Sequence, residues 1–484
     1  MITWLIRISW AEEFGCSTLF HMHDKPFREP LEVTIADGEK VNRDAYNNQF
    51  NQLESENFAV KWGDDFLSNG IEEIISSYFE ETWTVQINDW GMLQPEGTEE
   101  ALFNVYIGNS GNRAPEIGEG SGGYFTYDDQ GWPMIVLNPE AIQNQDYLPT
   151  LIAHEFFHAV QRKTDLYSNA ESRWFFEGSA EWAAANMYPS SVHPISAIDS
   201  YMNLSELSLN NFLHLYDVET DAEMERARYS YGTVLFLIFL HEYTMDSGFI
   251  PAIWNPEIAR ENPIETMKLL LAEKDLDFYD VWMQHNASIV FMEGYTYGDM
   301  YRQRKSYEDW LSDIWTENGI AMTSVTSDIR LKHLGYRIHR LYNMTASRYR
   351  FQVWANPIGS HDSIAGFRAI LVKRMGSTVM SLPIEMNNWF GEVTIDGFTE
   401  TDDAYLVVGA WAERENSVFG EEEDFVYSYA MEGLASLDVP DEDDDVENGV
   451  IIPDMKVCGC ASLEPTSTFA LWIVIVLYRR REQE

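Results

Sequence analysis

The sequence predicts an α+β fold, with a small sheet and several helices over residues 55–325 and a β-sandwich over 326–437. Three observations carry that prediction. In the first part, short apolar runs alternate with segments of helical period. After about residue 326 the helical period gives way to short alternating runs separated by turn signals. The composition, 45% hydrophobic and 14% aromatic in 484 residues, can fill more than one core.

Taken in order, residues 1–54 are polar and show no clear period, and are read as a poorly defined N-terminal segment. Phe58-Ala59-Val60-Lys61-Trp62 reads as a strand, and Ile71, Ile74, Ile75 and Tyr78 mark a helix after it. Phe103 to Gly108 and Met134 to Leu137 read as two further strands with glycine-rich turns between them. A helix is expected from about Asp146, which would cap it, through Leu151 to Gln161, with Pro149 tolerated in its first turn. Another covers about Ser172 to Met187, a strongly apolar one Tyr231 to Tyr243, and helical patterns continue to about Trp315. Beyond them, Tyr349 to Trp354, Ala369 to Val372, Glu392 to Ile395 and Tyr405 to Ala410 supply the strands of the sandwich. The acidic run Asp438 to Glu447 has nothing apolar enough to fold, and residues 438–457 are read as a linker.

The charge balance excludes one class of partner. With 79 Asp and Glu against 32 Lys and Arg, the net charge of −47 repels phosphate backbones and anionic lipid, so no nucleic-acid partner is expected. Such a surface suits solubility in a salty or extracellular medium. Three cysteines, Cys16, Cys458 and Cys460, cannot make a disulfide framework, and the C-x-C pair lacks the partners of a zinc knuckle.

The chemistry concentrates in one helix and the next. His154-Glu155-Phe156-Phe157-His158 is an HExxH motif, whose i, i+4 spacing puts both imidazoles on one helix face, within reach of one Zn²⁺. Glu155, beside the first ligand, can take a proton from a water activated there. With 11 histidines in the chain, chance alone gives this pattern in roughly one such sequence in forty, so the motif needs support. The next helix provides it. Glu177, in Trp174-Phe175-Phe176-Glu177-Gly178-Ser179-Ala180-Glu181-Trp182, follows His158 after 18 residues. It can complete the three protein ligands of a catalytic zinc, and Glu181, one turn on, can accept from the outer nitrogen of a ligand histidine.

HExxH followed after 18 residues by the Glu of W-x-x-E-G-x-A-E-W resembles the gluzincin clan of zinc metallopeptidases, whose aminopeptidase-N branch has W-x-N-E-G-F-A at the same distance. The resemblance implies a zincin-like catalytic domain with His154, His158 and Glu177 as zinc ligands and Glu155 as general base. That branch also carries a transition-state tyrosine in a Y-x-x-G segment opening a later helix. Here the match is Tyr229-Ser230-Tyr231-Gly232, with Tyr229 at the family position and Tyr231 as its near neighbour. The G-x-M-E-N segment that anchors a free amino terminus has no counterpart, which favours an endopeptidase acting on protein or peptide. In gluzincins an edge strand before the HExxH helix pairs with substrate, and Met134 to Asn138 stands at that place. The H-x-x-G-x-x-H extension of metzincins is absent, because Gln161 and Thr164 stand there.

The end of the chain, residues 458–484, combines Cys458 and Cys460, an apolar run of 10 residues from Phe469 to Tyr478, and Arg479, Arg480 and Arg481. This resembles the MYXO-CTERM sorting tails that carry exported proteins to the bacterial surface, and the whole arrangement is similar to secreted metalloproteases of myxobacteria. A secreted or outer-surface anchored protein is the expectation, touching membrane only through that tail, with a true start upstream of a poor signal peptide. The alternative is a surface-displayed binding or adhesion protein on an inactive peptidase scaffold. His21 and His23, an H-x-H pair, and His241, on an apolar helix, carry little metal signal.

Overall fold

A computed structural model describes residues 15–16, 40–43, 50–169, 172–189, 195–213, 218–291, 312–314, 325–326, 330–341, 346–358, 364–376, 378–387, 389–398, 403–413 and 424–434. The chain divides into two units, Met1–Ser436 and Leu437–Glu484. All described residues fall in the first. The acidic run, the C-terminal tail, and His21 and His23 lie outside the described residues.

The protein is of mixed α+β class. Its first sheet has six strands: β1 (Gly15–Cys16), β2 (Asn51–Glu54), β3 (Phe58–Trp62), β4 (Phe103–Ile107), β5 (Ser121–Tyr127) and β6 (Pro133–Leu137). Their order across the sheet is β1-β5-β6-β4-β3-β2. Both faces of this sheet are covered, which explains near-continuous apolar runs such as Pro133-Met134-Ile135-Val136-Leu137 where a one-sided sheet would alternate. On one face Val60, Phe103, Val105 and Ile135 join the main core. On the other, Tyr106, Tyr124, Met134 and Val136 close around Ile117.

Two expectations about this sheet are corrected. The strand holding Met134 to Leu137 is internal, paired in parallel with β4 on one side and antiparallel with β5 on the other, so neither edge is left for a substrate. The strand toward the sheet border is instead β5, in the segment read from sequence as a glycine-rich turn. Beyond it only the two residues of β1 pair among the described residues, opposite Ser121 and Gly123.

Two helices pack on the main-core face. The first, α1 (Ile71–Trp83), runs into one π-helical turn at Thr84–Asp89. The second, α2 (Leu148–Thr164), carries the HExxH motif. Tyr147, not Asp146, occupies its N-cap position, and no side chain caps it. Phe156, inside the motif, presses α2 onto the sheet: its ring lies 5.4 Å from Phe58, 5.8 Å from Phe103 and 5.9 Å from Trp83.

The helical layer continues with α3 (Arg173–Met187), α4 (Ile195–Asn203), α5 (Asp221–Gly232), α6 (Val234–Thr244), α7 (Phe249–Ile253), α8 (Pro263–Ala272) and α9 (Phe278–Ser288). The expected helix from Tyr231 to Tyr243 is two helices broken at Thr233, because a Thr220–Glu223 capping box starts α5 earlier and Tyr231 falls in its last turn. The Y-x-x-G segment therefore closes a helix rather than opening one. Ser312–Ile314, within the stretch expected to be helical, is a strand, β7.

The remaining strands are β8 (Val325–Thr326), β9 (Gly335–Leu341), β10 (Arg348–Ile358), β11 (Ile364–Met375), β12 (Thr378–Ile384), β13 (Met386–Asn387), β14 (Phe390–Asp396), β15 (Asp403–Glu413) and β16 (Asp424–Leu434). They form two five-stranded sheets, β13-β14-β10-β16-β8 and β12-β11-β15-β9-β7, around a shared core. The central strand of the second sheet, β15, is buried on both sides. Along β15, Leu406, Val408 and Ala410 face the core shared by the two five-stranded sheets, whereas Tyr405, Val407 and Trp411 join the helices. Gly409 permits this contact: a Cβ there would lie 2.5 Å from the side chains of both Met283 and Trp282 on α9.

One histidine at this junction links stability to pH. His285 on α9 is fully buried against Phe236 and Phe239, with Nε2 3.1 Å from the Tyr201 hydroxyl, and burial pushes its pKa down to about 3. Its folded-state pKa lies below that of the unfolded chain, so the imidazole stays neutral in the fold but gains a proton on unfolding once the pH drops below about 6.5. The stability it supplies is complete above that value and is lost progressively as pH falls toward 3. Urea unfolding at about pH 7.5 and pH 5.5 should show a loss in wild type that is about 1.4 kcal/mol larger than in His285→Gln. Equal losses in the two proteins would refute this account.

Candidate metal centre

The site is built where α3 crosses α2. Aromatic residues fix α3 on both sides of its acidic stripe: Trp182 packs 4.8 Å from Trp90 and 6.4 Å from Phe157, and Phe175 stacks at 5.2 Å on Trp254. These contacts turn Glu177 and Glu181, four residues apart on one face, toward the histidines of α2.

Three ligand atoms then converge. Nε2 of His154 and Nε2 of His158 are 3.0 Å apart, and Oε2 of Glu177 lies 3.4 Å from the first and 3.5 Å from the second. All three residues are buried. Donors at about 2.0–2.1 Å from a tetrahedral zinc are spaced about 3.3 Å apart, and the circle through these three atoms has a radius of about 1.9 Å, so the triangle fits one face of such a site. Among the described residues this is the one cluster of three or more histidine, cysteine or acidic side chains so arranged.

Electrostatics favour an anionic ligand. Burial alone would push the Glu177 carboxyl up, but the imidazoles of His158 and His154 outweigh it and hold the group at about 2. It is ionised at neutral pH, in a place where an uncompensated carboxylate would be expensive.

The outer nitrogens of both histidines are also held. Glu181 Oε1 lies 3.3 Å from Nδ1 of His154, the outer ring nitrogen of a residue for which the sequence reading offered it as an acceptor. Nδ1 of His158 is 2.7 Å from Gln161 Oε1, a contact the sequence reading missed. The signal was available, because Gln161 follows His158 by three residues on the same helix face. It was read only as the absence of a metzincin residue. His158 also stacks on Phe176, with ring centres 5.2 Å apart.

Glu155 is fully buried and faces β5: a Cβ on Gly123 would lie 3.2 Å from its Cγ. The paired glycines are what let the strand come so close to α2, since a Cβ on Gly122 would meet the Tyr147 hydroxyl at 2.6 Å. The two tyrosines of the Y-x-x-G segment part company. Tyr229 is buried away from the ligands, tilted 5.3 Å from Tyr201, with its hydroxyl donating to the Leu207 carbonyl at 3.4 Å. Tyr231 instead lies nearly parallel to the His154 ring, 6.4 Å between centres. Gly178, next to Glu177, sets that approach, because a Cβ there would stand 2.3 Å from Thr233 Oγ1 at the α5–α6 break. His241 packs against Trp182, away from the three ligands.

A profile for a family of unknown function, DUF6055, matches residues 25–432. The chain belongs to that family. The DUF6055 match takes in His154, His158 and Glu177, both helices that carry them and the strands as far as β16. No curated protein matches the chain. Among solved structures, a family GH115 4-O-methyl-α-glucuronidase with specificity for decorated arabinogalactans aligns with 72% of this chain at 9% identity and a TM-score of 0.15. The alignment covers about half of that enzyme (54%), and so low a score transfers neither fold nor activity.

Metal binding should be visible as stability. Zinc added to chelator-treated protein at a free concentration of 100 times its Kd should stabilise the fold by about 2.7 kcal/mol, read as a rise in thermal midpoint. Glu177→Ala should abolish the rise. An equal rise in the variant would place the metal elsewhere.

Proposed function

We propose that this protein is a zinc-dependent peptidase, an endopeptidase built on a zincin-like catalytic unit that is followed by a β-sandwich. The observation that carries the reading is the convergence of His154 Nε2, His158 Nε2 and Glu177 Oε2 on one buried point at spacings a tetrahedral metal requires, with Glu155 next to His154 on α2. When bound there, zinc supplies Lewis acidity, which lowers the pKa of a water to about 7 and polarises a scissile carbonyl.

The chain's own residues perform the remaining work. Glu155 accepts the proton of the attacking water and returns it to the leaving amine, as a general base and then a general acid. Burial against Gly123 holds its carboxylate between α2 and β5. We assign the oxyanion donor to Tyr231 rather than Tyr229, because Tyr231 lies beside His154 while the Tyr229 hydroxyl is turned to the Leu207 carbonyl. The lack of a segment to anchor a free amino terminus supports cleavage within chains. The charge of −47 and the tail motif support a secreted or surface-anchored location, with membrane contact confined to the tail.

The test pairs metal content with hydrolysis. Purified protein should hold one equivalent of zinc by mass spectrometry and cleave casein. Glu155→Gln should keep the zinc and lose activity by about 10²–10⁴-fold. Tyr231→Phe should lower kcat by about 10²-fold or more, with a small effect from Tyr229→Phe. Zinc without hydrolysis of any protein substrate would favour the binding-protein alternative, and a zinc-free wild type would overturn both the metal site and the peptidase.

A further inference from the structure

Gln161 belongs to a hydrogen-bonded chain whose proton order is dictated by its ends. Its Nε2 donates to the Phe176 carbonyl at 2.9 Å and to Ser179 Oγ at 2.9 Å. Ser179 Oγ gives its own proton to the Phe175 carbonyl at 2.5 Å and accepts from the indole N–H of Trp254 at 3.2 Å. A carbonyl can only accept and an indole N–H can only donate, so the amide of Gln161 has one satisfactory orientation. Both protons on Nε2 are then committed, and Oε1 is the atom presented to Nδ1 of His158. Gln161 is fully buried, so no water competes for that contact.

From this order we infer that Gln161 is a positioning residue for the metal centre: it fixes His158 as the Nδ1–H tautomer and so aims the Nε2 lone pair at the point shared with His154 and Glu177. An amide oxygen accepts and cannot donate, so Nδ1 must carry the proton, and the neutral ring then has its lone pair on Nε2. The two ligand histidines are thus held by unlike partners. A carboxylate, Glu181, stands behind His154, and a neutral amide stands behind His158. The carboxylate adds charge to its ligand's environment and the amide adds none, which limits the negative charge gathered around a centre that already contains Glu155 and Glu177. The role rests on the metal-site reading, but the tautomer it predicts belongs to the protein without metal.

The experiment uses the full chain with ¹⁵N-labelled histidine rings, first stripped of metal and at a pH where the imidazoles are neutral. Long-range ¹⁵N–¹H spectra should show His158, identified by its loss in His158→Gln, as the Nδ1–H form. Gln161→Met keeps the side-chain length but removes the acceptor, and should shift the ring toward the Nε2–H form. In competition with a chelator of known affinity, the same variant should bind zinc about 10–100-fold more weakly. Gln161→Glu restores an acceptor while losing both donated bonds, so it should keep the Nδ1–H form and bind zinc more tightly than Gln161→Met. A merely structural role predicts the reverse, with the Glu variant at least as impaired. Retention of the Nδ1–H form and of zinc affinity within twofold in Gln161→Met would overturn the inference. A wild type that binds no zinc would overturn the metal reading alone, and the tautomer arm would still decide whether Gln161 governs His158.

Discussion

The structure turns on an unfavourable juxtaposition: two imidazole nitrogens and a carboxylate oxygen held within 3.5 Å of one another and sealed from water. Electron pairs crowded together in low dielectric repel, and an ionised carboxylate removed from water costs several kcal/mol unless something positive compensates it. The neighbouring imidazoles supply part of that compensation, and a divalent cation, if bound as proposed, would supply the rest. The arrangement also depends on the surrounding packing, and the helices that carry His154, His158 and Glu177 are heavily anchored by aromatic rings. Phe156 fixes one ligand helix on the sheet, and Trp182 and Phe175 fix the other.

The same demand explains where side chains are missing. Gly123 brings the border strand against Glu155, and Gly178 brings the α5–α6 break, and with it Tyr231, against the ligand helix. Neither glycine is needed for an unusual backbone angle. Each is needed because another element occupies the space of its Cβ. Gly409 does the same service where α9 lies on the second of the two C-terminal sheets.

That distinction also separates what the sequence revealed from what it hid. Motifs whose meaning is a spacing along one helix were legible: His154 and His158 at i, i+4, Glu177 and Glu181 at i, i+4. So was the change of period near residue 326, since alternation is a local property of strands. The strand β5 was hidden because Gly122 and Gly123 signal a turn in isolation, and only the proximity of α2 makes them a strand requirement. The edge position of β6 was misread because its hairpin partner β5 went unrecognised and its parallel pairing with β4 on the other side is non-local. Tyr229 and Tyr231 are two residues apart on a helix, so they point in different directions. Choosing between them needs the location of α3, which no local pattern carries.

The alternation along β15, one set of side chains turned to the neighbouring sheet and the other to the helices, bears on how such a protein can be inherited. Tyr336, Ile338, Val372, Tyr405, Val407 and Trp411 belong to the same continuous core as the residues around the ligands. A gene fragment ending near residue 326 would strip an apolar surface from the helical layer, and a fragment starting there would expose its counterpart. The seam visible in the sequence is a change of secondary structure and not a place where the chain comes apart. One family model spans that seam, from residue 25 to 432.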